Sequence, residues 1–75
     1  MENQHRQILG YRELSQAEVY LMNTVKTQAV QVEALVEAVK RAGEEIDPRW
    51  VAIARAHFQE GFMALTRSIT RPTTF

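Results

Sequence analysis

The stretch KRAGEEIDPRWV, residues 40–51, decides the fold. Lys40 and Arg41 are cations suited to the negative end of a helix dipole. Gly43 is a natural C-terminal stop. Asp47 then offers an N-cap oxygen, and Pro48 takes the first helical position, where its missing N–H costs nothing. Ile46 and Val51 flank that cap at the spacing of a hydrophobic staple. One helix therefore ends and another begins across a linker, residues 43–46, that is too short for anything but a reversal.

Upstream, Ser15 and Glu18 have the S-x-x-E spacing of a capping box, with Leu14 and Val19 at the staple positions. The first helix is expected from about Gln16 to Ala42, or 15–43 with its caps. The second, 47–71 with its caps, should end near Thr70, because Pro72 cannot continue it. At 1.5 Å per residue the two would be roughly 40 Å and 34 Å long. Residues 1–14 form an N-terminal segment in which 3–9 make a short extra helix, broken at Gly10. The fold class expected is all-α, a single domain spanning 1–75: a short N-terminal helix, then a long antiparallel hairpin.

Apolar periodicity proposes how the hairpin closes. In the first helix Leu21, Val25, Val32, Leu35 and Val39 form a near-heptad seam, answered in the second by Val51, Phe58, Phe62, Leu65 and Ile69. Apolar residues are left over on both helices. Val19, Met22, Ala29 and Val30 lie on a flank of the first; Ile53, Ala56, Met63 and Ala64 lie on the back of the second. Two helices cannot cover those surfaces, which points to subunit interfaces rather than scattered surface residues. Gly61 inside a helix costs about 1 kcal/mol relative to alanine and suggests a close helix–helix approach.

Composition narrows the function classes. A chain of 75 residues without cysteine has neither disulfides nor thiolate metal sites to brace a small core, leaving oligomerisation. The absence of cysteine fits a reducing cytosol. A formal net charge of zero, from nine basic and nine acidic residues, argues against DNA or RNA as a polymer. It leaves room for a small anion held by two or three local cations. No stretch is apolar enough to span a membrane, and the start, Met1 to Arg6, lacks the apolar core of a signal peptide.

Catalytic chemistry finds little support. His57 and Glu60 read H-x-x-E, the reverse of the E-x-x-H order used in di-metal bundles. There is no glycine-rich phosphate loop and no evident nucleophile–base pair. No catalytic residue, metal or cofactor is expected. Three other features suggest ligand binding, each beside a plainer structural reading. Lys26 is a cation set among Val19, Met22, Ala29 and Val30: either a side chain snorkelling from an interface edge, or a charge held for a partly desolvated anion. Tyr11 either packs against the end of the hairpin or offers a ring on which a base stacks. Arg67 and Arg71, with Thr66 and Thr70 beside them, either complement the helix dipole or grip phosphates. In an antiparallel hairpin Lys26 comes level with Ala64, so Tyr11 and all three cations gather at the open end.

The segments HRQILGYRELSQAEVYLMNTVK, residues 5–26, and DPRWVAIARAHFQEGFMALTRSITRPTTF, residues 47–75, resemble the phage anti-CBASS sponge family, which sequesters cyclic oligonucleotide second messengers. G-Y-R-E-L followed by L-M-N-x-V-K, and the block from Arg49 to Pro72, carry the resemblance. It implies a compact homo-hexamer acting in the cytoplasm of an infected bacterial host. It implies cyclic dinucleotides such as 3′,3′-cGAMP bound between paired protomers through Tyr11, Lys26 and a residue at Thr27 or Gln28, here assigned to Gln28. It also implies cyclic trinucleotides in a separate pocket near a three-fold axis, at Arg67, with Thr70 and Arg71 beside it. Gln28 is bulkier than the small hydroxyl residue expected there. The rival readings are a structural or adaptor hairpin that assembles with partner helices and, less favoured, a phosphodiesterase acting on the same messenger.

Overall fold

The structure, a computed structural model, describes residues 13–74. It contains two helices, α1 (Gln16–Lys40) and α2 (Pro48–Thr70), packed as a hairpin. The short N-terminal helix expected over 3–9, and Tyr11, lie outside the described residues.

Local chemistry starts both helices where the sequence places them. The Ser15 hydroxyl accepts from the Glu18 N–H at 3.2 Å, while Glu18 Oε1 accepts from the Ser15 N–H at 2.8 Å, completing the capping box. Asp47 Oδ1 accepts from the Arg49 N–H at 2.9 Å, with Pro48 as the first helical residue. Each cap satisfies amides that helix geometry leaves without a carbonyl.

The first helix ends earlier than expected. α1 stops at Lys40 rather than near Ala42, with Arg41 as C-cap. The Ala42 N–H donates to the Val39 carbonyl at 3.0 Å, so the last turn tightens before Gly43, at φ 144°, leads the chain out. That φ suits a residue without a Cβ. α2 closes with Arg71 in the left-handed region, φ 45° and ψ 60°, its N–H donating to the Arg67 carbonyl at 2.8 Å. Pro72 has no N–H with which to extend the helix.

The register matches the antiparallel expectation. Glu37 pairs with Arg55 near the turn end, and Arg71 Nη2 lies 3.6 Å from Glu18 Oε2 at the open end.

The faces that meet differ from the expected seams. On α1 the inward stripe is Met22, Val25, Ala29, Val32 and Val36, at alternating three- and four-residue spacing. Met22 and Ala29 are half-buried rather than left on a flank, and Val36, at 7% exposure, is the buried core residue among those described. Leu21, Leu35 and Val39, expected inside, are 48%, 57% and 40% exposed. On α2 Val51, Phe62 and Ile69 face inward as expected, joined by Arg55 and Thr66, while Phe58 and Leu65, also expected inside, are 42% and 48% exposed. Ile53, assigned to the back, is half-buried. At 100° per residue, α1 is turned roughly a sixth of a revolution from the expected seam. The physical reason is size. Ala29 at the centre of the stripe lets the helices approach, and Val25, Val32 and Val36 fill that narrow gap without the longer leucines.

Candidate functional site

The rotation of α1 places Lys26 on the rim of a groove. The groove runs along one side of the hairpin, with a volume of about 610 Å³. Val32, Val36, Phe58 and Phe62 line its interior, and Lys26, Val30, Glu33, Gln59 and Met63 contribute from the two flanking faces. The flanks fall on the same side because antiparallel helices turn in mirror sense when seen down one axis. Val30 and Met63 are 65% and 67% exposed, so the walls around the lysine are apolar and open.

Lys26 makes no ion pair with any described residue. Its ammonium is available to an anion beside apolar walls, where a charged hydrogen bond gains from partial exclusion of water. Towards the turn the charge changes character. Glu33 lines the groove, and beyond it Arg55 is engaged by Glu37, each side chain one-third exposed. An anionic ligand is therefore favoured at the Lys26 end.

Gln28 does not share this groove. Two residues from Lys26, it projects from the opposite flank of α1 and is exposed. Thr27, the alternative at that position, donates its hydroxyl to the Asn23 carbonyl at 2.9 Å.

Arg67 lines a separate depression of about 450 Å³ with Pro72, Thr73 and Thr74, and its Nη2 donates to the Thr74 carbonyl at 3.4 Å. Arg71, one turn on, reaches instead across the hairpin to Glu18. The two arginines are thus not a single paired grip. Thr70 is half-buried between these levels. Among the described residues, no group of three metal-ligating side chains lies together, and no helix is long and apolar enough to cross a membrane. His57 and Glu60 form an exposed pair at 3.8 Å.

Sequence reasoning overlooked the Glu37–Arg55 pair that closes the turn-side end of the groove. The signal was present, since the two come level once the helices are folded against each other. Their opposite charges make that level a preferred register.

Residues 4–70 match the family model described as Acb2/Tad1, hairpin domain. Among curated proteins, the chain is 36% identical to "Anti-CBASS protein 2" of Pseudomonas phage JBD67 over 105 aligned positions, covering 96% of this chain and 97% of that relative. The aligned length exceeds this chain's 75 residues, so the alignment contains gaps.

Proposed function

The chain belongs to the Acb2/Tad1 hairpin-domain family, and on that premise we propose that it is a non-enzymatic sponge. It binds cyclic oligonucleotide second messengers in the cytoplasm of an infected bacterium and blocks CBASS antiviral signalling, as the name of its phage relative suggests. Binding lowers the free messenger, no bond is broken, and no cofactor takes part.

The observation that carries this reading is Lys26, an exposed cation on a largely apolar groove midway along the hairpin, at the end of that groove away from the turn. A 3′,3′-cyclic dinucleotide such as 3′,3′-cGAMP has two phosphates related by an approximate two-fold axis. Two protomers related by a two-fold axis offer two Lys26 ammonium groups and two Tyr11 rings with the same symmetry. Gln28, on the other flank, reaches such a ligand only from a neighbouring protomer. A cyclic trinucleotide has three phosphates, and a three-fold axis offers three copies of Arg67, with Thr70 and Arg71 beside each. A homo-hexamer with both kinds of axis holds both ligand classes. Support for assembly comes from the described residues, among which Val36 is the buried hydrophobic residue, a small core of the kind that short chains supplement by association.

Native mass spectrometry with a panel of cyclic di- and trinucleotides tests the proposal. The expected result is a ligand-bound multimer releasing intact ligand on denaturation. Cleaved ligand would point to a phosphodiesterase, and a multimer that binds no nucleotide would point to an adaptor. Arg67→Ala, titrated calorimetrically, should abolish trinucleotide binding and spare dinucleotide binding. Equal weakening of both would mean one shared pocket.

A further inference from the structure

At its open end the hairpin breaks a local preference. Among the described residues two have a positive φ, Gly43 at 144° and Arg71 at 45°. At Gly43 the missing Cβ makes such a backbone easy. Arg71 ends α2 at φ 45° and ψ 60°, a left-handed position that helices usually give to glycine. Its Cβ is strained there, so a role for the side chain is indicated. Arg71 Nη2 lies 3.6 Å from Glu18 Oε2, and the glutamate is 21% exposed against 68% for the arginine. The other carboxylate oxygen of Glu18 accepts from the Ser15 N–H at 2.8 Å. Glu18 is therefore fixed by the start of α1 and holds Arg71 from across the hairpin. Arg71 leads directly into residues 72–74, which line the depression at Arg67, and Arg67 Nη2 donates to the Thr74 carbonyl at 3.4 Å. Among the described residues that depression is lined by Arg67, Pro72, Thr73 and Thr74, not by Arg71.

We propose that Glu18, acting through Arg71, is a positioning residue for the Arg67 depression. The ion pair sets the path of residues 72–74, and with it the shape offered to a cyclic trinucleotide. The inference rests on the trinucleotide part of the proposed function. The Arg71 N–H, donating to the Arg67 carbonyl at 2.8 Å, fixes where α2 ends. The ion pair fixes in addition where the Arg71 side chain points, and so how the left-handed residue is oriented. Pro72, whose ring holds φ near about −65°, passes that orientation on to Thr73 and Thr74. As a contribution to stability the pair is small, because its arginine is mostly in water. A three-fold axis multiplies a small effect. A loss of roughly two- to threefold in each protomer, within the range of an exposed ion pair, compounds to roughly ten- to thirtyfold in affinity.

Two substitutions separate positioning from stability and from direct contact. Glu18→Gln keeps an acceptor for the capping box, which uses glutamine as well as glutamate, and removes the charge facing Arg71. Arg71→Gly removes the side chain and relieves the left-handed strain, so its melting temperature should hold or rise. Calorimetric titration with cyclic tri-AMP should show both variants binding roughly ten- to thirtyfold more weakly, with Arg71→Lys close to the parent. Binding of 3′,3′-cGAMP should be unchanged in all three. In the ligand-free protein the amide NMR resonances of Thr73 and Thr74 should move in Glu18→Gln, while those of Val32 and Val36 stay. If Arg71→Gly is weakened and Glu18→Gln binds like the parent, Arg71 touches the ligand itself and the inference is overturned. Equal weakening of both ligands overturns it too, as does a lower melting temperature for Arg71→Gly, since either makes the pair part of the fold. Static Thr73 and Thr74 resonances overturn it without any ligand. If those resonances move and the parent binds no cyclic tri-AMP, the trinucleotide site of the proposed function fails while the positioning of residues 72–74 stands.

Discussion

The two sides of the hairpin are built from the same helices and the same kinds of aliphatic residue, yet they suit different tasks. On one side Lys26, Glu33, Glu37, Arg55 and Gln59 are spread along the groove walls and rim. Water or a polar ligand can occupy that side without penalty, and its charges give position along the groove a meaning. On the other side Leu21, Leu35, Val39 and Leu65 are exposed without a charge among them. That side gains only by being covered. Exposure alone does not separate the two, because Met63 in the groove is more exposed than any of those leucines. The presence or absence of charge does.

The largest expected effect comes from reversing that distinction. Leu35→Asp combined with Leu65→Asp puts carboxylates on the uncharged side, and burying unpaired ions costs several kcal/mol. Native mass spectrometry should then show dissociation at concentrations at least about a hundredfold above those at which the parent assembles. An intact multimer would break the comparison.

Lys26→Ala should act on the groove side alone. Loss of a charge-assisted contact of about 1.5–3 kcal/mol predicts roughly a ten- to hundredfold weaker cyclic dinucleotide titration, with the mass of the assembly unchanged. Dissociation of this variant would mean that the groove side is also held by protein.

Arg55→Met tests whether the cross-hairpin pair holds register. Leaving Glu37 alone at a one-third exposed site should cost about 1 kcal/mol. That is a fall of roughly 4–8 °C in melting temperature, read at fixed protein concentration, and Glu37→Gln in the same chain should restore most of it. No recovery would show that Arg55 acts through its aliphatic stem instead.

Gln28→Ala should have the smallest effect. A neutral hydrogen bond contributes about 0.5–1.5 kcal/mol, so cyclic dinucleotide affinity should fall about two- to tenfold. No change would confine the dinucleotide site to the groove side; the predicted loss would mean that one protomer's uncharged side meets its neighbour's groove.

Residue types alone determined the all-helical hairpin, its two N-caps and its level-for-level register. Capping boxes, prolines and glycines act on the few amides and carbonyls next to them in the chain, so Ser15, Glu18, Asp47 and Pro48 announce their roles without knowledge of any partner. The level of Lys26 along the hairpin, midway and facing the region of Met63, was legible for the same reason, since counting residues from the turn fixes the level of each residue. Rotation about the helix axis was not legible. Leu21, Leu35 and Val39 make as good an apolar stripe as Met22, Ala29 and Val36, and periodicity ranks both alike. Only packing chose between them: a narrow gap accepts alanine and valine and turns the leucines outward. That choice also parted Gln28 from Lys26 and set Arg55 against Glu37. Each is a contact across space, whose energy depends on the distance between helices rather than on the spacing of residues along one of them.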